Sequence, residues 1–148
     1  MRRSGLIWLQ SDDPPRRRAL WHAWVEDTAY LLTGGGEQPD PGLGTGEAVH
    51  VVVRSKDTEQ RLVVFTARAS RLLPDNEDWE TATAELAKKR LNLHDAAHAP
   101  HRWARQDGYT LYRLEPTGEI TEGPGNYSDR SLRAAPVDTV ATTINRRR

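Results

Sequence analysis

Residues 19–36 read ALWHAWVEDTAYLLTGGG, and how they fold decides the rest. Ala19 to Val25 alternates with a two-residue period. Leu20, His22 and Trp24 share one face, with Trp21, Ala23 and Val25 on the other. Both faces are largely apolar, which predicts a central strand covered on both sides. Glu26-Asp27 is a tight acidic turn, and Thr28 to Thr33 (TAYLLT) returns as the second strand of a hairpin. Gly34, Gly35 and Gly36 then remove every side chain for three residues. Glycines permit positive φ and close approach of a ligand to the backbone. Consecutive bare N–H groups also suit a phosphate. A flexible loop has the same composition, and the residues alone leave both readings open.

Upstream, Gly5 to Gln10 (GLIWLQ) reads as a short strand. Ser11 to Arg18 (SDDPPRRR) is a turn, because Asp-Pro-Pro cannot continue a ladder. Arg16, Arg17 and Arg18 open the next strand. They read either as solvated edge charges or as a cluster with one arginine turned toward an anionic ligand.

Downstream, Glu37 to Gly46 (EQPDPGLGTG) is too rich in Pro and Gly for long regular structure. Ala48 to Arg54 (AVHVVVR) and Arg61 to Leu72 (RLVVFTARASRL) form a strand pair across the polar turn Ser55 to Gln60. His50 among valines reads as a hydrogen-bonded core or interface histidine rather than a ligand. Pro74-Asp75-Asn76 starts an amphipathic helix of about four turns. Asp75 or Asn76 caps it, and Glu77, Asp78 and Glu80 complement its positive end. Trp79, Ala82, Leu86 and Leu91 form its buried stripe, with Lys88, Lys89 and Arg90 in its last turns. His94 and His98 are four apart, a metal-ligand spacing on a helix. Pro100 disfavours helix at Ala99, and no glutamate completes a zinc-hydrolase set. Residues 94–101 therefore read as a solvated loop, and no metal site is expected. Tyr109 to Leu114 (YTLYRL) is the last strand, with Trp103 just before it. Glu115 onward turns polar and Gly/Pro-rich. Residues 130–148 hold five Arg against Asp138, net +4. In that basic tail Val137 to Ile144 reads as an edge strand or a crossing to a partner subunit, and the extreme end as disordered.

The bulk composition bounds function. The 148 residues, 36% hydrophobic and 28% charged, suit one folded domain, 1–148, with its core at about 5–116 and an extended tail at 117–148. Lys+Arg and Asp+Glu are 21 each, so no net field attracts polyanions and no nucleic-acid partner is expected. No cysteine is present, which excludes thiol nucleophiles, disulfides and Cys-ligated metals. The longest apolar runs are too short to span a bilayer, and the N-terminus lacks a signal-peptide apolar region. Cytoplasm is the default location, and no membrane contact is expected. Five Trp against one Phe favours rings at pockets or interfaces.

Six strands with one late helix predict a mainly β (α+β) fold, a closed antiparallel barrel. The segments WHAWVEDTAYLLTGGGEQP, VVVRSKD and RLN…RWAR resemble the pyridoxamine 5′-phosphate oxidase-like, FMN-binding split-barrel superfamily, in an actinobacterial branch of largely uncharacterised members. The resemblance runs from about Leu6 to Pro116. It implies a six-stranded split barrel with one amphipathic helix and small helical turns. It further implies a homodimer with FMN or deazaflavin sites at the subunit interface, and an oxidoreductase acting on a small molecule. The superfamily also holds haem-degrading proteins and members with no known ligand. Carried over by position, the resemblance implies cofactor contacts from the strand Ala19 to Trp24, where Trp21 or Trp24 would wall the ring, and a phosphate held by Thr33, Gly34, Gly35 and Gly36. The family places a basic residue just after the hydroxyl, where this chain has Glu37 and Gln38. Arg54, Ser55 and Lys56, or the two arginines at 17 and 18, are then expected to supply the charge. The alternative is a non-enzymatic dimeric barrel with a degenerate cofactor site, serving as a binding or scaffold protein.

Overall fold

The computed structural model describes residues 5–12, 15–54, 61–90 and 93–128. Ser55, Lys56, Leu91 and the tail at 130–148 lie outside the described residues. The strands are β1 (Leu6–Asp12), β2 (Pro15–Trp21), β3 (Ala23–Val25), β4 (Thr28–Gly34), β5 (Ala48–Arg54), β6 (Arg61–Leu72) and β7 (Tyr109–Glu122). The helices are α1 (Trp79–Lys89) and α2 (Ala99–Arg105). All seven strands form one antiparallel sheet in the order β2-β1-β5-β6-β7-β4-β3.

The outermost strands of that order, β2 and β3, are consecutive in the chain and separated only by His22. The sheet must therefore curl until its two ends meet, and the result is a split barrel. Ala19 to Val25 is thus not one central strand, as its two apolar faces predict, and the count is seven strands rather than six. The segment changes partners at His22. Its first half pairs with β1, Leu20 opposite Ile7. Its second half pairs with β4, Ala23 opposite Tyr30.

Both faces are covered for a different reason. Leu20 and Trp24 point into the barrel with Ile7, Leu31, Val51, Phe65 and Tyr112. Ala23, with Trp21 and Val25 beside it, lies outside with Tyr30, Leu32, Leu111 and the helix residues Trp79, Leu86 and Trp103. Ile7, Leu31 and Val51 are each 0% exposed, and burial at that level contributes about 1.5–3 kcal/mol per large aliphatic side chain.

α1 covers the outer face of β3 and β4 through Trp79, Ala82, Leu86 and Ala87. Its N-cap is Asp78, whose side chain makes no capping bond. It accepts instead from Arg113 Nη1 at 3.2 Å, while Asn76 Oδ1 accepts from the Asp78 N–H at 3.0 Å. The expected cap at Asp75 or Asn76 is therefore displaced by two or three residues. α2 takes the last three residues, 99–101, of the expected solvated loop, and residues 94–98 are the exposed turn that was expected. Pro100 lies in its first turn, where a missing N–H costs nothing. β7 runs eight residues past Leu114. Its polar second half pairs with the start of β6, Phe65 opposite Ile120, and Thr117 and Thr121 hydroxyls donate to the Thr66 and Val64 carbonyls.

Candidate functional site

The glycine run closes β4 onto the loop that follows. The Gly34 N–H donates to the Gln38 carbonyl at 2.9 Å, and the Glu37 N–H donates to the Gly34 carbonyl at 2.8 Å. Gly34 and Gly35 are required for contact as well as for conformation. A Cβ on Gly34 (φ +76°) would stand 1.9 Å from the Gly108 carbonyl oxygen, and one on Gly35 would stand 2.3 Å from the Tyr109 ring. Only Gly36 (φ +89°) faces open space. Thr33 is 0% exposed, and its hydroxyl donates to the Thr110 carbonyl of β7 at 3.2 Å.

Gln38 bridges the split. Continuing the β3–β4 register by two places would set Trp21 opposite Leu32. There the two strands are joined by a side chain. Gln38 Oε1 accepts from the Trp21 N–H at 2.9 Å, and its Nε2 donates to the carbonyls of Trp21 (2.9 Å) and Leu32 (3.0 Å).

Glu37 turns the other way. Its Oε2 accepts from Arg90 Nε at 2.8 Å, with the glutamate side chain 10% exposed and the arginine 37%. The same guanidinium lies over the Trp21 ring, 5.7 Å from its centroid. Arg90 follows α1 in extended conformation. It supplies the cation that the sequence lacks beside the glycines. No local signal could have found it, since fifty-three residues separate it from Glu37.

The other expected residues are spread over the barrel. Arg17 Nε donates to Gln10 Oε1 on the neighbouring strand at 3.0 Å. Arg18, exposed, donates to the Asp40 carbonyl at 2.9 Å. Trp24 is a core residue, edge-on to His22 at 5.9 Å and tilted against Phe65 at 6.4 Å. Arg54 lies over the Trp8 ring at 4.7 Å, and its Nε is buried with no hydrogen-bond partner among the described residues. Of the expected set, the structure brings together Trp21, Thr33 and the glycines. Arg17, Arg18, Trp24 and Arg54 stand apart from them.

His22 is 2% exposed, and neither ring nitrogen has a hydrogen-bond partner among the described residues. Burial, reinforced by the nearby Lys89 charge, pushes its pKa down to about 4, against a weak opposing pull from the Leu20 backbone. A cleft of about 380 Å³ opens between β3 and α1, lined by Trp24, Val25, Glu26, Thr81, Glu85 and Lys89. Among the described residues no group of three or more His, Cys, Asp or Glu could hold a metal ion. No helix among them is long and apolar enough to cross a membrane.

The glycine loop does not fit a flavin phosphate. The Thr33 hydroxyl is buried and committed to Thr110, two of the three glycines are walled off by Gly108 and Tyr109, and a carboxylate already holds the neighbouring guanidinium.

No family model and no curated protein match the chain. Among solved structures it is similar to HutZ, the haem storage protein from Vibrio cholerae, with a TM-score of 0.57 and 16% identity over 82% of this chain and 90% of that one. It is also similar to the conserved hypothetical protein Rv2991 from Mycobacterium tuberculosis, with a TM-score of 0.52 and 17% identity over 78% and 73% of the two chains. At these identities the likeness is one of fold, and that fold is the mainly β split barrel expected from the sequence.

Proposed function

We propose that this chain is a non-enzymatic split-barrel binding protein in which the family's phosphate loop serves as a structural clasp. One observation carries the reading: the Thr33 hydroxyl is fully buried and donates to the Thr110 carbonyl. A hydroxyl so placed cannot also donate to a phosphate oxygen without giving up its bond to Thr110. The test is a titration of the purified protein with FMN and with the deazaflavin cofactor, followed by fluorescence. The expected result is a colourless protein with no low-micromolar saturable quenching. A bound chromophore on purification overturns the reading.

A second reading, a flavin- or deazaflavin-binding oxidoreductase, is favoured by Trp21. Its ring is only partly buried and carries the Arg90 guanidinium on its face, an arrangement suited to a planar anion. Under that reading the cofactor supplies the hydride chemistry and the protein orients it.

We infer a homodimer as the working state. Leu6 and Leu62, 47% and 49% exposed, lie at the same end of the outer face of β1 and β6, flanking β5. A second copy of that face would cover them. Light scattering of the intact chain measures this directly, and a monomer at all concentrations would overturn it.

A further inference from the structure

We propose that the cleft between β3 and α1 binds a zwitterionic amino acid with an apolar side chain. The site goes beyond the reading above. None of its lining residues belongs to the glycine loop, and neither Trp21 nor Arg90 is among them.

Two elements supply the walls. Trp24, Val25 and Glu26 line one side from β3 and its turn, and Thr81, Glu85 and Lys89 line the other. The latter three recur every fourth residue, so they form one stripe along α1. The volume of about 380 Å³ lies within the roughly 300–1,000 Å³ that small-molecule sites occupy.

The charges at the rim do not cancel one another in pairs. Glu85 is engaged by Lys88. That leaves the Glu26 carboxylate on the strand side and the Lys89 ammonium on the helix side, neither with an ion pair among the described residues. One charge of each sign, on opposite walls and beside the apolar Trp24 and Val25, complements a molecule that carries an ammonium, a carboxylate and an apolar body.

Behind the rim lies unmet hydrogen-bonding capacity. Trp24 belongs to the barrel core as well as to the cleft. Its indole N–H is buried and has no acceptor among the described residues. His22, edge-on to Trp24 at 5.9 Å, adds two unpartnered ring nitrogens and lies close enough to Lys89 to feel its charge. A buried donor without a partner is destabilising. A ligand carboxylate held by Lys89 supplies the acceptor that the Trp24 N–H lacks.

The test is an NMR titration of the intact protein, read at the tryptophan indole N–H resonances, with L-leucine and L-phenylalanine as probes. For each probe two analogues follow: the acid that lacks the amino group and the amine that lacks the carboxyl group. At least one amino acid is expected to bind saturably at about 10 mM or tighter and to move the Trp24 resonance most. Each analogue is expected to bind about five-fold more weakly or worse. Glu26→Gln should remove the preference for the amino acid over the acid and keep the preference over the amine, and Lys89→Gln should do the reverse. Glu26 and Lys89 are exposed, so both variants are expected to fold. No shift with either probe overturns the inference, as does a Trp24 resonance that stays still while others move. Analogues that bind as well as the parent, or preferences that neither variant alters, overturn it too. FMN titration of the same sample reports on the glycine loop separately, so failure at one site is distinguishable from failure at the other.

Discussion

The Gln38 side chain takes the place of a strand beside Trp21, accepting from its N–H and donating to its carbonyl, both at 2.9 Å. A third bond reaches the Leu32 carbonyl at 3.0 Å. One amide thus does at the split what a backbone does elsewhere in the barrel. Gln38→Leu removes all three bonds and is expected to cost about 2–4 kcal/mol, since partly buried backbone groups lose their partners. Gln38→Glu keeps one acceptor but sets carboxylate oxygen against two carbonyls. Its loss in urea melts should be largest near neutral pH and shrink in acid, where a protonated glutamate donates again.

The three glycines differ in what an added methyl group would meet. Gly34→Ala drives a Cβ into the Gly108 carbonyl at 1.9 Å, a backbone contact that cannot turn away. Gly36→Ala meets nothing within 4 Å and carries only the strain of φ +89°. Gly34→Ala is expected to cost about 3 kcal/mol or more, and Gly36→Ala about 1 kcal/mol. Denaturant midpoints that rank the two the other way would refute the packing account.

His22 makes stability depend on pH. Its folded pKa of about 4 lies below the ordinary 6.5, so the unfolded chain binds a proton more readily than the folded one between those values. Stability from this group is complete above pH ~6.5 and falls as the pH drops through ~4, by about 3 kcal/mol in total. Urea melts across that window should show the slope, and His22→Gln should flatten it. An unchanged slope would mean that other groups carry the acid sensitivity.

Asp40 anchors the loop after the clasp. Burial alone would push its carboxyl up. The Tyr112 hydroxyl, the Gly42 N–H and the Arg71 charge outweigh that and hold it below the ordinary value. The Tyr112 hydroxyl donates to Asp40 Oδ1 at 2.7 Å. Tyr112→Phe is expected to cost about 1–2 kcal/mol and to move the Asp40 titration upward. Carboxyl NMR shifts against pH read that movement, and a stationary titration would assign the depression to Gly42, Arg71 and Thr110.

What the sequence disclosed and what it hid divide along physical lines. Ala48–Arg54 and Arg61–Leu72 are the observed β5 and β6 to the residue, because alternation and β-branching are local signals. Glu26-Asp27 is the observed turn, with Glu26 at φ +52°. The break at His22 is invisible locally, since the alternation runs through it unbroken while the pairing partner changes from β1 to β4. Pro100 misleads because the same residue that ends one helix opens another. β7 beyond Leu114 has only Ile120 as a large apolar residue, its residues 115–120 being exposed, and among the described residues its strand partner there is β6. At the candidate site the glycines, Thr33 and Trp21 were visible as a cluster in sequence. Their roles were not, because each depends on a distant residue: Gly108, Thr110 and Arg90.

His22 is also the seam of the molecule. The peptide bonds on either side of it are the only covalent span across the gap between β2 and β3. Severing the chain there would convert a ring into a ribbon with two raw ends, each able to recruit a foreign strand. With His22 2% exposed, the seam lies where a protease cannot reach it until the ring has already come undone.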